Sequence, residues 1–362
     1  MDNIGIRNSL SRWVRDTGPY SDVVISSRIR LARNLEKYFF PSRLSHDRQE
    51  EVVNEIEAVI SKPGISENTE GLRTVRLEGL PVIQRQMMVE KHIISPQQAK
   101  TNGHPGKAVV LQDDEAVSIM VNEEDHLRIQ VLLPGLMLWE AWDMANNIDD
   151  TLETKVTYAF DDELGYLTCC PTNLGSGLRA SVMVHLPGLV LTNQVSKVLK
   201  ALSQVGLAVR GLYGEGSEPL GNLFQVSNQV TLGRVEKEII EDLISVTKGL
   251  IEQERSAREL LLNSDTGSQL TDRIYRAYGI LSHARIISTQ EALGLLSSLR
   301  LGVDMEIIGN VEPKKLDELM VLIQPGFVQY IAGGDLSSDE RDEARADLIR
   351  DYLAKDKDIG ES

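Results

Sequence analysis

The sequence predicts an α+β protein: a large, mostly antiparallel sheet flanked by helices, followed by an all-helical C-terminal domain. Two observations carry this. Between about residues 20 and 214, short strand-like runs are separated by tight turns with few helical stretches between them, which favours antiparallel neighbours over parallel crossovers. From about Gly233 the apolar spacing becomes helical almost to the end. The expected division places a sheet domain at 1–255 and a helical domain at 256–362. No internal repeat is visible.

Residues 20–33, YSDVVISSRIRLAR, read as a strand through β-branched Val23, Val24 and Ile25. Residues 46–61 read as a helix, with Val52, Val53, Ile56, Val59 and Ile60 at helical spacing, and SKPGISENTEG at 61–71 as a loop. Residues 84–94 fit either a helix or a strand. KAVVLQ, VSIMVN and LRIQVLL at 107–133 are three strands; in the last, Leu127, Ile129 and Val131 face one way and Arg128 and Gln130 the other. Residues 136–154 form an amphipathic helix. YLTCCP and ASVMVHL are strands flanking the glycine-rich TNLGSGL, and a helix at 191–204 and a strand LAVRGLYG follow. Beyond Gly233, Ile239, Ile240, Leu243, Ile244, Leu250 and Ile251 make one stripe, and NSDTGS at 263–268 reads as a linker. Three or four shorter helices come next, broken at HARIIST, GNVEP, QPGF and AGGD.

Among 362 residues, 54 are acidic and 38 are lysine or arginine, a formal charge of −16 that argues against a general nucleic-acid or membrane-surface binder. A local basic pocket stays compatible with it. The only cysteines, Cys169 and Cys170, are adjacent and neither staple a fold nor make a metal site. The first residues lack an apolar signal-peptide core, and runs such as VLLPGLMLW are too short to span a bilayer. A soluble cytoplasmic protein is expected.

No G-x-x-x-x-G-K-[ST] loop is present, and GSGLRA matches a dinucleotide fingerprint only loosely, with a strand expected after it where a helix is required. The arginines are more informative. Arg28 and Arg30 are two apart on a strand and share a side; Arg128 follows an acidic hairpin corner; Arg179 ends a glycine-rich loop; Arg210 begins RGLYGEG. Taken singly, each is an ordinary surface charge with many carboxylates to pair with. Taken in order, SSRIR, NEEDH-x-R, CPTNLGSGLRA and RGLYGEG resemble the ATP:guanido phosphotransferases, the creatine and arginine kinase family, over about residues 20–250. CPTNLGSGLRA is long and specific.

The resemblance implies a phosphagen-kinase-like fold, ATP as co-substrate with Mg²⁺ bridging its phosphates, and a cage of Arg28, Arg30, Arg128, Arg179 and Arg210. Planar guanidinium forks grip phosphate bidentately and keep their charge. It places the nucleotide against Ser27, Ile29 and Leu31, His92, Ala180, Ser181, Val182 and Met183, and Gly211, Leu212, Tyr213 and Gly214, with His185 near the base. The acceptor makes a second demand, because a guanidinium with a pKa above about 12 has no free lone pair. One carboxylate must hold the fork and one must take a proton during attack. By resemblance these are Glu124 and Glu215, with Glu123 as the control position, while Cys170 touches the acceptor or tunes its ionisation. No protein-held metal is implied.

Two departures from the small-molecule kinases narrow the substrate. Only 25 residues precede SSRIR, where those enzymes carry a helical domain that closes over a free guanidine, and the C-terminal helical region is additional. Both match the protein-arginine kinases of the family and imply an open site for arginine displayed on a protein. In the C-terminal region, Ser337 and Glu340 suit a capping box, and Arg341 and Arg345 lie four apart on one helix face. RDEARA resembles the RDxxRA motif of those kinases, which implies allosteric phosphoarginine binding by Arg341, Asp342, Arg345 and Ala346. The implied setting is bacterial stress response, with an activator protein McsA, the repressor CtsR, a Clp ATPase and a homodimer as partners. The alternatives are a kinase of free arginine or another small guanidine, and a non-catalytic phosphoarginine-binding adaptor.

Overall fold

The structure, a computed structural model, describes residues 10–61, 71–101, 106–211, 220–263 and 267–354. Eight strands form one antiparallel sheet: β1 (Val24–Arg33), β2 (Arg73–Arg76), β3 (Ala108–Leu111), β4 (Val117–Val121), β5 (Leu127–Pro134), β8 (Leu178–His185), β9 (Leu207–Gly211) and β10 (Leu223–Asn228). Their order is β2-β3-β4-β5-β1-β8-β10-β9, so β1 lies at the centre between β5 and β8. A short hairpin, β6 (Phe160–Asp161) and β7 (Gly165–Tyr166), stands apart.

Register decides which side chains meet. Arg30 lies opposite Gln130 on β5 and Arg179 on β8; Arg28 lies opposite Ser181; Gln225 on β10 lies opposite Met183 and Arg210. Alternation sends Ile29, Leu31, Ile129, Val131, Ala180 and Val182 to the other face. There they meet helices α2 (His46–Ile60), α4 (Leu138–Glu153) and α7 (Glu236–Asn263) in the main core. Each large aliphatic chain buried there contributes about 1.5–3 kcal/mol. A one-residue slip would exchange these for arginines, which is why the register is strongly specified.

The glycine-rich stretch before β8 serves close packing. Gly177 has φ +67°, and a Cβ there would lie 2.5 Å from Arg33 Nη1 and 2.7 Å from Ala32 O. Its own carbonyl accepts from Ala32 N at 3.0 Å, tying the start of β8 to the end of β1.

Several expectations change. The ambiguous segment is a helix, α3 (Val82–Glu90), after the short α1 (Arg12–Arg15). YLTCCP is strand only at Tyr166, the last residue of β7; beyond it the Cys169 amide turns to a side chain, Asp125 Oδ1, at 2.7 Å. The single helix at 191–204 is two, α5 (Pro187–Leu191) and α6 (Val195–Gln204), parted at Asn193 with φ 57°. Strands β2 and β10 were not anticipated. Five helices, one or two more than expected, follow α7: α8 (Gly267–His283), α9 (Thr289–Asp304), α10 (Pro313–Leu322), α11 (Pro325–Ala332) and α12 (Ser338–Ala354). The expected boundary at 255/256 falls inside α7, which runs unbroken from 236 to 263.

These C-terminal helices share a second core with Leu10, Trp13 and Val14 near the start and with Ile25, Leu132 and Leu223 of the sheet. Buried ion pairs reinforce the junction. Arg300 on α9 donates to Asp304 Oδ1 at 2.9 Å and to Ser21 O at 2.7 Å, and also pairs with Asp317. Arg258 on α7 joins Glu254 Oε1 at 2.7 Å and Asp22 O at 2.9 Å. Among the described residues no helix is long and apolar enough to cross a membrane.

Candidate active site

The arginine-bearing face of the sheet opens into a cavity of about 930 Å³. Arg28, Arg30, Arg128 and Arg210 line it together with His92, Met183, Gly211 and Gln225. Arg179 joins the group through its pairing with Arg30 across β1 and β8. Arg28 donates to Gln225 Oε1 at 2.8 Å and more weakly to Ser181 Oγ at 3.4 Å. Arg30 Nε is buried without a hydrogen-bond partner.

Burial, then the fields of Arg128 and Arg179, lowers the Arg28 pKa to about 10. Burial and its three arginine neighbours push Arg30 well below its ordinary value, with Glu123 opposing them in part. Guanidinium does not deprotonate in a folded protein, so these shifts register like-charge repulsion in a desolvated site. Such a cluster favours a multiply charged anion.

The carboxylates sit at one end of this row. The turn between β4 and β5 carries Glu123 and Glu124. Glu123 is almost wholly buried, pairs with Arg128 Nη1 at 2.7 Å and accepts from Ser95 Oγ at 2.5 Å. Glu124 pairs with Arg128 Nη2 at 3.0 Å yet keeps 39% of its side chain exposed. Burial raises its pKa, with Arg128 opposing. Glu124 therefore keeps a solvent-facing carboxylate. Glu123, the control position, is bound on both sides, to Arg128 and to Ser95.

The corner is fixed from beneath. Asn34 donates to Asp125 Oδ1 at 2.7 Å and accepts from the His126 amide at 2.9 Å. His126 Nδ1 accepts from Leu35 N at 3.0 Å, which makes Nε2 the donor to Phe39 O at 2.9 Å. Burial lowers the His126 pKa to about 4, so the ring is neutral and both nitrogens are used. Asp125 Oδ1 also binds the Cys169 amide, and so brings Cys170 beside the corner. Cys170 Sγ lies 3.0 Å from Thr172 Oγ1. Asn34, Asp125, His126, Ser95 and Gln225 were missed as site residues; only Asp125 and His126 carried a signal, within NEEDH.

The other expected contacts divide. His92 lines the cavity, with its ring 5.8 Å from that of Trp13 and its pKa lowered to about 3 by burial and then by Arg28 and Arg30. Ile29, Leu31, Ala180 and Val182 point away from it into the main core, because alternation gives the cavity only every second residue. Ser27 also points away: its hydroxyl donates to Gly135 O at 2.7 Å and accepts from Met137 N at 3.0 Å. His185 has the right face but lies fully buried beneath α9, 2.8 Å from Ser297 Oγ; Met183 takes the cavity position. Leu212, Tyr213, Gly214 and Glu215 lie outside the described residues. Among the described residues no group of three or more His, Cys, Asp or Glu converges to hold a metal ion.

At α12 the capping box forms: Ser337 N donates to Glu340 Oε2 at 2.8 Å and Glu340 N to Ser337 Oγ at 3.4 Å. Arg341 is half-buried and donates to Leu336 O at 3.0 Å. Arg345 is 1% exposed, not a surface partner of Arg341; it donates to Ile323 O and Ile287 O, both at 2.8 Å, and to Asp342 Oδ1 at 2.5 Å. Ala346 is packed in the second core.

Residues 51–257 match the family model described as ATP:guanido phosphotransferase, C-terminal catalytic domain, and residues 267–361 match the one described as Protein-arginine kinase McsB C-terminal domain. Relatives include the protein-arginine kinases of Moorella thermoacetica, 55% identical with 95% of this chain and 97% of that one covered, and of Bacillus subtilis, 49% identical with 96% and 94% covered. The duplicated taurocyamine kinase of Schistosoma mansoni shares the fold at a TM-score of 0.59 and 24% identity, over 74% of this chain and 39% of that one. The chain belongs to the ATP:guanido phosphotransferases and, within them, to the protein-arginine kinases.

Proposed function

We propose that the protein transfers the γ-phosphoryl group of ATP to arginine side chains of proteins. The observation that carries this is the row of mutually repelling guanidinium groups on one sheet face, ending at a half-exposed carboxylate. Positioning and electrostatic stabilisation supply most of phosphoryl-transfer catalysis. The cage binds the phosphates and meets the charge that spreads over the transferring group. Glu124 holds the acceptor guanidinium, and Glu215 is proposed as its second carboxylate. A guanidinium nitrogen attacks the γ-phosphorus, the bond to the ADP oxygen breaks, and the departing N–H proton passes to Glu124. Mg²⁺ enters with the nucleotide as part of the substrate. Cys170, beside the corner, is proposed to touch the acceptor.

Glu124→Gln keeps size and hydrogen bonding but removes the proton acceptor. We expect phosphoarginine formation on a protein substrate to fall by about 10²–10⁴-fold with ATP affinity retained. Mass spectrometry under non-acidic handling checks it, because a P–N bond is acid-labile. Unchanged turnover would discredit Glu124 as the base, and turnover of free arginine with none of protein would discredit the substrate.

The motif on α12 supports phosphoarginine sensing of a revised kind. Arg341 remains the group available to an anion, beside the capped helix start, while Arg345 fixes Asp342 from within. Arg341→Ala should blunt the response to added phosphoarginine and preserve basal turnover; loss of ATP binding would contradict this placement. We assign 1–255 to catalysis and 256–362 to sensing and homodimerisation, in a cytoplasmic stress response with McsA, CtsR and a Clp ATPase as partners.

A further inference from the structure

The cage occupies only part of the cavity, and the strand register orders the rest. Along β1 the sequence of positions is Arg30, Arg28, then Ile25, which a register shift between Val24 and Ser26 turns toward the second core. On β8 Met183 lies opposite Ser26 of β1, and on β10 Leu223 lies opposite His185, two residues beyond Met183. Glu124 lies at the opposite end, beside Arg128, whose strand partner is Ala32. The site thus runs from the acceptor carboxylate, where Met120 lies opposite Arg128 and Ile94 adds lining, through four guanidinium groups to a second apolar compartment at Ile25 and Met183. At about 3.3 Å per residue, Ile25 is about 16 Å from Arg30 along the strand. The far wall of that compartment comes from α10, through Met320 and Val321, both of which line the cavity.

We infer that the C-terminal helical region supplies part of the nucleotide site, with the purine of ATP held between Met183 of the sheet and Met320 and Val321 of α10. This rests on the kinase reading above. With the γ-phosphate at the Glu124 end, an extended nucleotide places its base at the Ile25 end. Thioether and aliphatic groups suit a flat, polarisable ring system. The consequence is that nucleotide affinity depends on how the helical region sits on the sheet.

The test compares two ligands that share phosphates and differ in the base. ATP and inorganic tripolyphosphate are titrated calorimetrically into the full-length protein, its Met320→Ala/Val321→Ala variant and its Val321→Phe variant. We expect ATP affinity to fall about tenfold or more in both variants. Tripolyphosphate affinity should stay within about twofold, since the arginines are untouched. Undiminished ATP binding in both variants overturns the inference. Equal loss of both ligands also overturns it, by assigning these side chains to the framework alone. If the unaltered protein binds neither ligand, the kinase reading itself falls. If it binds tripolyphosphate no more weakly than ATP, the phosphate cage survives and the base compartment does not.

Discussion

Two sets of arginines, one fully buried and one half-buried, differ in their partners. Arg300 and Arg345 of the helical region are 2% and 1% exposed, and their N–H groups are committed to carboxylates and backbone carbonyls of neighbouring segments. Arg28 and Arg30 on the sheet lie near other arginines, and Arg30 keeps an unpartnered Nε. The first set stabilises the protein as it stands. The second sits among like charges, which Glu123 offsets only in part. The pattern of partners separates the two sets.

Breaking the first set should cost most in stability. Arg300→Met leaves Asp304 and Asp317 buried without their main partner, and we expect about 3–5 kcal/mol of destabilisation by urea unfolding. A loss below about 1 kcal/mol would erase the contrast. Breaking the second set should act on catalysis instead. Arg30→Ala should lower kcat/KM by about 10²–10³-fold while leaving the ligand-free melting temperature unchanged or higher, because repulsion is relieved. A melting temperature that falls as far as that of Arg300→Met would show that Arg30 is also a structural staple.

The pH dependence sharpens the comparison. His126 is held neutral, with a folded pKa of about 4 against an ordinary value of about 6.5. Between those values the unfolded chain binds more protons, so stability present above about 6.5 is lost as pH falls toward 4, by up to ~3 kcal/mol from this group. His92 and His185, also depressed by burial, add to the same slope. Urea midpoints at pH 7 and pH 5 measure it, and His126→Gln should flatten part of the difference. An identical slope in that variant would show that His126 is not what the corner loses in acid.

Much of this was legible locally. Alternation alone separated Arg128 from Leu127 and Ile129, and the order of four motifs pointed to a guanidine kinase. Facts that depend on distant packing were not legible. His185 has the correct strand parity, yet nothing in SVMVHL reveals that α9 covers it. Arg345 has the spacing of a surface helix pair, and only the approach of the Ile287 and Ile323 carbonyls makes it a core residue. Gln225 belongs to a strand whose sequence, LFQVSN, has no strong signal, although it positions Arg28. Glu123 and Glu124 are chemically alike in sequence; the turn buries one and leaves the other at the mouth.

The long helix α7 has a mechanical meaning. Its 28 residues span about 42 Å without a break, beginning on the sheet domain's core and ending where the C-terminal helices start. A flexible tether would let the two regions drift apart. A continuous helix, seated in the main core from Ile239 to Ala257 and against the second core at Leu261, joins them without a break at the boundary.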